Sequence, residues 1–358
     1  MADRGVGRSW AAIGVFLTLA VALAVGLAAA GYRLLDREFQ APGPAGAAVR
    51  VKVAAGDSIR GVLGRLAALG ALDDPREVEL YLRLHHSVPR IEIGTYEVPA
   101  HASPADIIRM FAQGRVMLDQ ITVVEGATFA DFRRELDAQP DIAHTLRGRS
   151  AAQVMAALGH PGENPEGRFF PDTYRFAPGT SDLTILSMAY DRMAAVLARA
   201  WQQRSPDLPF DTPYQALILA SIIEKETGVA DERARIAGVF VNRLRRGMRL
   251  QSDPTVIYGL GKQYDGTIHT RDLTTDTPYN SYTRSGLPPT PISLPGLESL
   301  LAAVQPDQTD DLYFVATGQG GHHFSKTLAQ HDAELRAYLT RLRAQQQAAL
   351  RRRTAGKP

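Results

Sequence analysis

At 358 residues, with 45% apolar and 22% charged residues, the chain can bury a sizeable core and has room for two domains. A formal net charge of +2 without a long basic stripe gives no argument for a nucleic-acid partner. With no cysteine there is no disulfide framework, no thiolate nucleophile and no Cys-based zinc site.

The chain begins with a short polar stretch, residues 1–10, carrying Arg4 and Arg8. From Ala11 to Gly31 no residue is charged, and Thr18 is the one strongly polar side chain. At about 1.5 Å per residue such a run crosses a hydrocarbon core of roughly 30 Å. Trp10 and Tyr32 stand at its ends, where amphipathic rings favour the interface. A cleaved signal peptide ending at Ala28-Ala29-Ala30 would need a shorter apolar region, about 7–15 residues, and a core helix is rarely apolar on every face at a chain's start. The expectation is therefore an uncleaved transmembrane anchor over 11–32, with 1–10 in the cytoplasm and the bulk of the chain outside it.

Ala41-Pro42-Gly43-Pro44-Ala45-Gly46 reads as flexible by composition, which makes 33–48 a linker. Alternation begins at Val49, and Asp57 or Ser58 is placed to cap a helix from about Ile59 to Leu69. A second helix is predicted over Pro75–His85, then a strand in IEIGTYEV and a helix opened by Ser103-Pro104. Residues 49–118 thus form a small α/β unit that resembles the LysM-like module of envelope proteins, in which VxVxxGDS precedes the first helix. The resemblance implies glycan binding; a rigid spacer is the alternative.

From residue 119 a strand around Ile121–Val124 leads through Gly126-Ala127-Thr128 into a helix, Phe129–Ala138. Glu166–Tyr174 (EGRFFPDTY) mixes aromatics, Pro and Gly, as a structured loop does. Ala216 to Ile223 is apolar on all sides, so a helix there must be buried. It ends in Glu224-Lys225-Glu226-Thr227-Gly228. On that helix Glu224 shares a face with Leu217, Ala220 and Ser221. Half-desolvation and the negative end of the helix dipole disfavour a carboxylate, which suits a general acid. The simpler explanation is that Glu and Lys solvate a helix end, and periodicity does not choose between Glu224 and Glu226.

A second amphipathic helix follows over about Asp231–Arg246, then loops rich in Tyr, Pro and amide or carboxyl groups. These are the materials of a sugar-binding groove, in which rings stack on apolar sugar faces and polar groups meet hydroxyls. The groove candidates are Gln251, Asp253, Tyr258, Asn280 and Tyr282. Ser252-Asp253-Pro254 is equally suited to a turn or helix cap. His322, His323 and His331 lack the spacing of a metal site, and no cofactor is expected. Residues 343–358 carry Arg351-Arg352-Arg353 and read as a flexible basic tail.

ASIIEKET, RIAGVFVNRLRRGMRLQSDPTVIYGLG, TPYNSYTRSGLPPTPI and YFVATGQGGHHFSKTLAQH, together with EGRFFPDTY, resemble the endolytic murein transglycosylases of the MltG (YceG-like) family. The likeness runs in order from about Val49 to Leu342 and departs from the family pattern at Ser293-Leu294, where Asn is common before Pro-Gly. It implies an α+β chain with a transmembrane helix, a LysM-like α/β module (49–118) and a mixed α/β catalytic domain (119–342). It further implies Glu224 as the catalytic residue and cleavage of MurNAc–GlcNAc bonds to 1,6-anhydro-MurNAc ends, which terminates nascent strands. The setting implied is the periplasmic face of the inner membrane, beside penicillin-binding proteins. A silent glycan-binding scaffold and a hydrolytic muramidase are the alternatives, and in a hydrolase Asp253 would be the nearest second carboxylate.

Overall fold

The computed structural model describes residues 6–54 and 56–355. The chain divides into two compact units, Met1–Asp119 and Gln120–Pro358. Part of the expected N-terminal stretch (1–10) and the last three residues of the expected tail lie outside the described residues.

The first unit opens with α1 (Val6–Gln40), whose apolar residues from Phe16 to Leu27 are exposed. Among the described residues this is the one helix long and apolar enough to cross a membrane. Then come β1 (Val49–Val53), α2 (Ile59–Ala68), α3 (Pro75–Leu84), β2 (Gly94–Val98) and α4 (Pro104–Ala112). β1 and β2 pair antiparallel with Val51 opposite Tyr96, which turns Val51, Val53, Tyr96 and Val98 toward the helices. Ser58 caps α2 by accepting the Gly61 N–H, while Asp57 instead pairs with Arg65. Ile91–Ile93, expected as strand, stay irregular.

Residues 33–48 are not a loose linker. α1 runs on to Gln40, where Phe39 is buried and stacks on Tyr81 with ring centroids 3.7 Å apart. Beyond it the Gly43 N–H donates to the His101 carbonyl, and a Cβ on Gly43 would overlap the Ala102 carbonyl. Glycine here permits close backbone approach rather than flexibility.

The second unit takes over at β3 (Asp119–Thr122), followed by α5 (Phe129–Ala138), α6 (Ala151–Ala157), β4 (Thr173–Phe176) and α7 (Asp182–Gln202). β3 and β4 pair, and their inward residues Ile121, Tyr174 and Phe176 join Phe132, Leu136 and Ile185 in one core. The rest is α8 (Pro213–Glu226), α9 (Arg233–Arg245), α10 (Asp253–Leu260), α11 (Thr270–Thr274), α12 (Leu297–Val304), the antiparallel hairpin β5 (Tyr313–Ala316) and β6 (His322–Ser325), and α13 (Leu328–Ala355). A larger core surrounds α8, packed by α7, α9 and α12. The segment expected as a flexible tail from residue 343 is helical as far as Ala355.

Asp182 ties the first part of this unit together. Its buried carboxylate accepts from the Thr145 N–H and Oγ1, the Leu146 N–H and the Leu183 N–H at 2.6–3.0 Å. Burial opposes its charge, but these donors win and hold the carboxyl below its ordinary range. Asp182→Ala strands several buried donors and is expected to cost about 2–4 kcal/mol. Urea denaturation of the full-length protein in detergent checks this; a loss under about 0.5 kcal/mol would mean that water satisfies those groups.

Candidate active site

The end of α8 is fixed by its whole length. Thr212 and Gln215 form a capping box at its start, Pro213 occupies the first turn, and Ala216 through Ile223 are all buried. The sequence expectation of a helix buried on every side is met. One turn before Glu224, Ser221 anchors the segment that precedes α12. The Ser221 Oγ accepts from the Ile292 N–H at 3.0 Å, and the Ser293 Oγ donates to the Ser221 carbonyl at 3.0 Å. Gly167, at φ +78°, lets the Glu166 loop press on Pro291, where any Cβ would fall 2.5 Å from the proline ring.

This arrangement carries Gly296 to the carboxyl of Glu224. The Gly296 N–H, at the mouth of α12, donates to the Glu224 Oε2 at 2.9 Å. Among the described residues no protein donor bonds Oε1. The neighbouring Lys225 Nζ donates to the Gly126 carbonyl at 3.1 Å, and the Gly126 N–H donates to the Leu294 carbonyl at 2.9 Å. Glu224 is half-buried where three segments meet: the end of α8, the turn after β3, and the approach to α12. The departure at Ser293-Leu294 leaves this junction whole, because both residues are buried and bonded within it.

Glu226 points elsewhere, as two positions on a helix must. It lines a cleft of about 360 Å³ with Arg243, Gln251, Asp253, Tyr282 and His331. The Ser252 Oγ donates to Glu226 at 2.5 Å, but burial prevails and pushes the Glu226 carboxyl up to about 7. The Tyr282 hydroxyl donates to Asp253 at 2.6 Å. Arg243 crosses beneath, donating to the Leu312 and Leu250 carbonyls at 2.7 and 2.6 Å. Gln251 sits at φ +51°, a strained conformation for a side chain of its kind.

The predicted groove residues therefore separate. Gln251, Asp253 and Tyr282 gather around Glu226 rather than Glu224, so Asp253 is placed as a partner of Tyr282. Tyr258 donates to the buried Glu166 at 3.0 Å, and burial pushes that carboxyl up to about 7. Asn280 is 1% exposed, and its amide donates to the Asp272, Leu273 and Thr275 carbonyls. It shapes the loop that presents Tyr282, whose N–H donates to the Asn280 Oδ1 at 2.8 Å. The histidines also part: His322 bonds Glu232 at 2.8 Å, and His331 stacks on Tyr313. Glu125 is marked by no local pattern, and Glu166 stands in the EGRFFPDTY block without any sign of its carboxyl's role, since the partners of both lie far away in the chain.

Comparison with known proteins adds to this geometry. The sequence model of the YceG-like family matches residues 51–337. An endolytic murein transglycosylase of Bacillus subtilis is 37% identical over 175 residues, 49% of this chain and 48% of that protein. One from Streptococcus pneumoniae is 32% identical over 235 residues, 60% of this chain and 42% of that protein. Each match spans less than half of the relative's own length. A 2.6 Å crystal structure of a YceG-like protein from Listeria monocytogenes superposes with a TM-score of 0.52 at 29% identity, covering 80% of this chain and 98% of that one.

Proposed function

The chain belongs to the YceG-like family, and from that premise we propose that it is an endolytic murein transglycosylase with Glu224 as its acid and base. The observation that carries this reading is the setting of Glu224. One carboxyl oxygen is held by the Gly296 amide, and the other is free of protein donors among the described residues. A proton-transfer group needs this combination of fixed orientation and an open oxygen.

In the reaction, Glu224 protonates the oxygen that bridges MurNAc C1 to the next sugar, and the C1–O bond breaks. The 6-hydroxyl of the same MurNAc closes on C1, and its proton returns to the Glu224 carboxylate. The product ends in 1,6-anhydro-MurNAc, and no water is consumed. A two-carboxylate glycosidase needs its second group to activate water or to form a glycosyl-enzyme; an internal nucleophile removes that need.

Digestion of purified murein with the full-length protein in detergent, followed by mass analysis of the muropeptides, tests the reading. Anhydro ends are the expected result. Reducing ends would indicate a hydrolytic muramidase, and intact strands a binding scaffold. Glu226 offers a second reading of the acid, favoured by its raised carboxyl in a cleft with Gln251, Asp253 and Tyr282.

The same reading places α1 in the inner membrane as a single-pass anchor with the second unit in the periplasm. There it would cut nascent strands beside peptidoglycan synthases and end their elongation. Residues 49–118 are proposed as a LysM-like glycan-binding module, supported by the strand β1 followed by α2 with its Ser58 cap.

A further inference from the structure

Glu125, in the turn between β3 and α5, has no part in the mechanism above. Its backbone is tightly placed. The Gly126 N–H donates to the Leu294 carbonyl at 2.9 Å, the Leu294 N–H donates to the Ala127 carbonyl at 2.7 Å, and Lys225 holds the Gly126 carbonyl. Its side chain rests against Gly296 so closely that any Cβ on that residue would overlap the Glu125 carboxylate. The same Gly296 donates its N–H to Glu224. Two carboxyls thus converge on one glycine, and a Cβ there would displace the Glu125 carboxylate from this position.

Like charges that meet at one residue do not both ionise cheaply. Burial first, and the charge of Glu224 second, push the Glu125 carboxyl above its ordinary value; Arg233 opposes and Glu298 adds to the effect. The charged groups that surround the pair are Lys225 on α8, Arg233 at the start of α9 and Glu298 on α12.

We propose that Glu125 is a positioning residue for the cleavage proton, sharing one proton with Glu224 so that the pair enters the reaction singly protonated. The inference rests on the reading of Glu224 as acid and base. The shared proton goes to the glycosidic oxygen as the C1–O bond breaks. The 6-hydroxyl proton returns to the pair as the new C1–O6 bond forms, so the pair ends as it began. The alkaline limb of the pH–rate profile then reports the loss of the shared proton.

The test measures anhydro-product formation from purified murein by the full-length protein in detergent micelles between about pH 4.5 and 8.5, a window spanning the carboxyl range. Glu125→Gln removes the neighbouring charge and should move the alkaline limb toward acid by about one pH unit or more. Glu125→Asp should restore part of the parent profile, and Glu298→Gln should move the limb less than Glu125→Gln. Gly296→Ala displaces the Glu125 carboxylate while leaving both acids in the chain, and should shift the limb in the same direction. An unmoved limb in Glu125→Gln, with Glu224→Gln inactive, overturns the sharing. So does a loss of equal size at every pH, which would mark a purely structural role. Retained activity in Glu224→Gln would instead remove the acid assignment itself.

Discussion

Glu224→Gln is expected to lower anhydro-product formation by about 10³-fold or more, because one carboxyl serves as acid in the first half of the reaction and base in the second. Glutamine keeps the shape and can still accept the Gly296 N–H, so the loss should arise in turnover with little change in thermal midpoint. Glu226→Gln is expected to lose less than about tenfold, or about 1.4 kcal/mol of barrier, since its amide oxygen can still accept from Ser252. The two variants must be assayed on the same murein preparation. Full turnover in Glu224→Gln beside a dead Glu226→Gln would move the chemistry across the helix, into the cleft that holds Asp253 and Tyr282.

The second large effect concerns pH and folding. Burial pushes both Glu166 and Glu226 up to about 7 from an ordinary 4.5. A carboxyl raised on folding contributes stability that is fully present below the unfolded value and is lost as pH rises through the folded one. Between about pH 4.5 and 7 the folded protein retains protons that the unfolded chain releases, so stability falls with rising pH. Each group accounts for about 3 kcal/mol at most. The depressed carboxyls, such as Asp276 at about 2, act at the acid side of that window. The thermal midpoint of the full-length protein should therefore drop by about 5–15 °C from pH 5 to pH 7.5. Glu166→Gln and Glu226→Gln should each flatten the slope. A midpoint that holds steady or climbs across the window would show that water reaches these carboxyls.

Much of the fold is written in local patterns. The all-round apolar run from Ala216 to Ile223 requires burial if it is a helix, which the structure makes it, and Ser58, Ser103 and Thr128 mark helix starts that the structure keeps. Ala41–Gly46 misled because Pro and Gly signal an irregular backbone, and the pattern carries no information about what that backbone packs against. Asn280 misled in another way. An amide in a Tyr-rich loop suits a sugar contact and a loop brace equally, and only the three carbonyls around it decide. The meeting of Glu125 with Glu224 was illegible for a deeper reason. It depends on Leu294 and Gly296 bridging two distant segments, and no period in either segment encodes that.

The unbroken course of α1 has a mechanical meaning. If its apolar half lies in a bilayer, the polar turns from Arg33 to Gln40 extend about 12 Å further with no swivel before Phe39 locks onto Tyr81. A tether of loose chain would let the first unit tumble in a hemisphere. A continuous helix leaves that unit two translations in the plane, spin about the helix axis and the tilt of the helix itself. Its search for a partner is confined to a layer near the membrane, and lengthening the stalk by whole helical turns would raise that layer while preserving the facing direction.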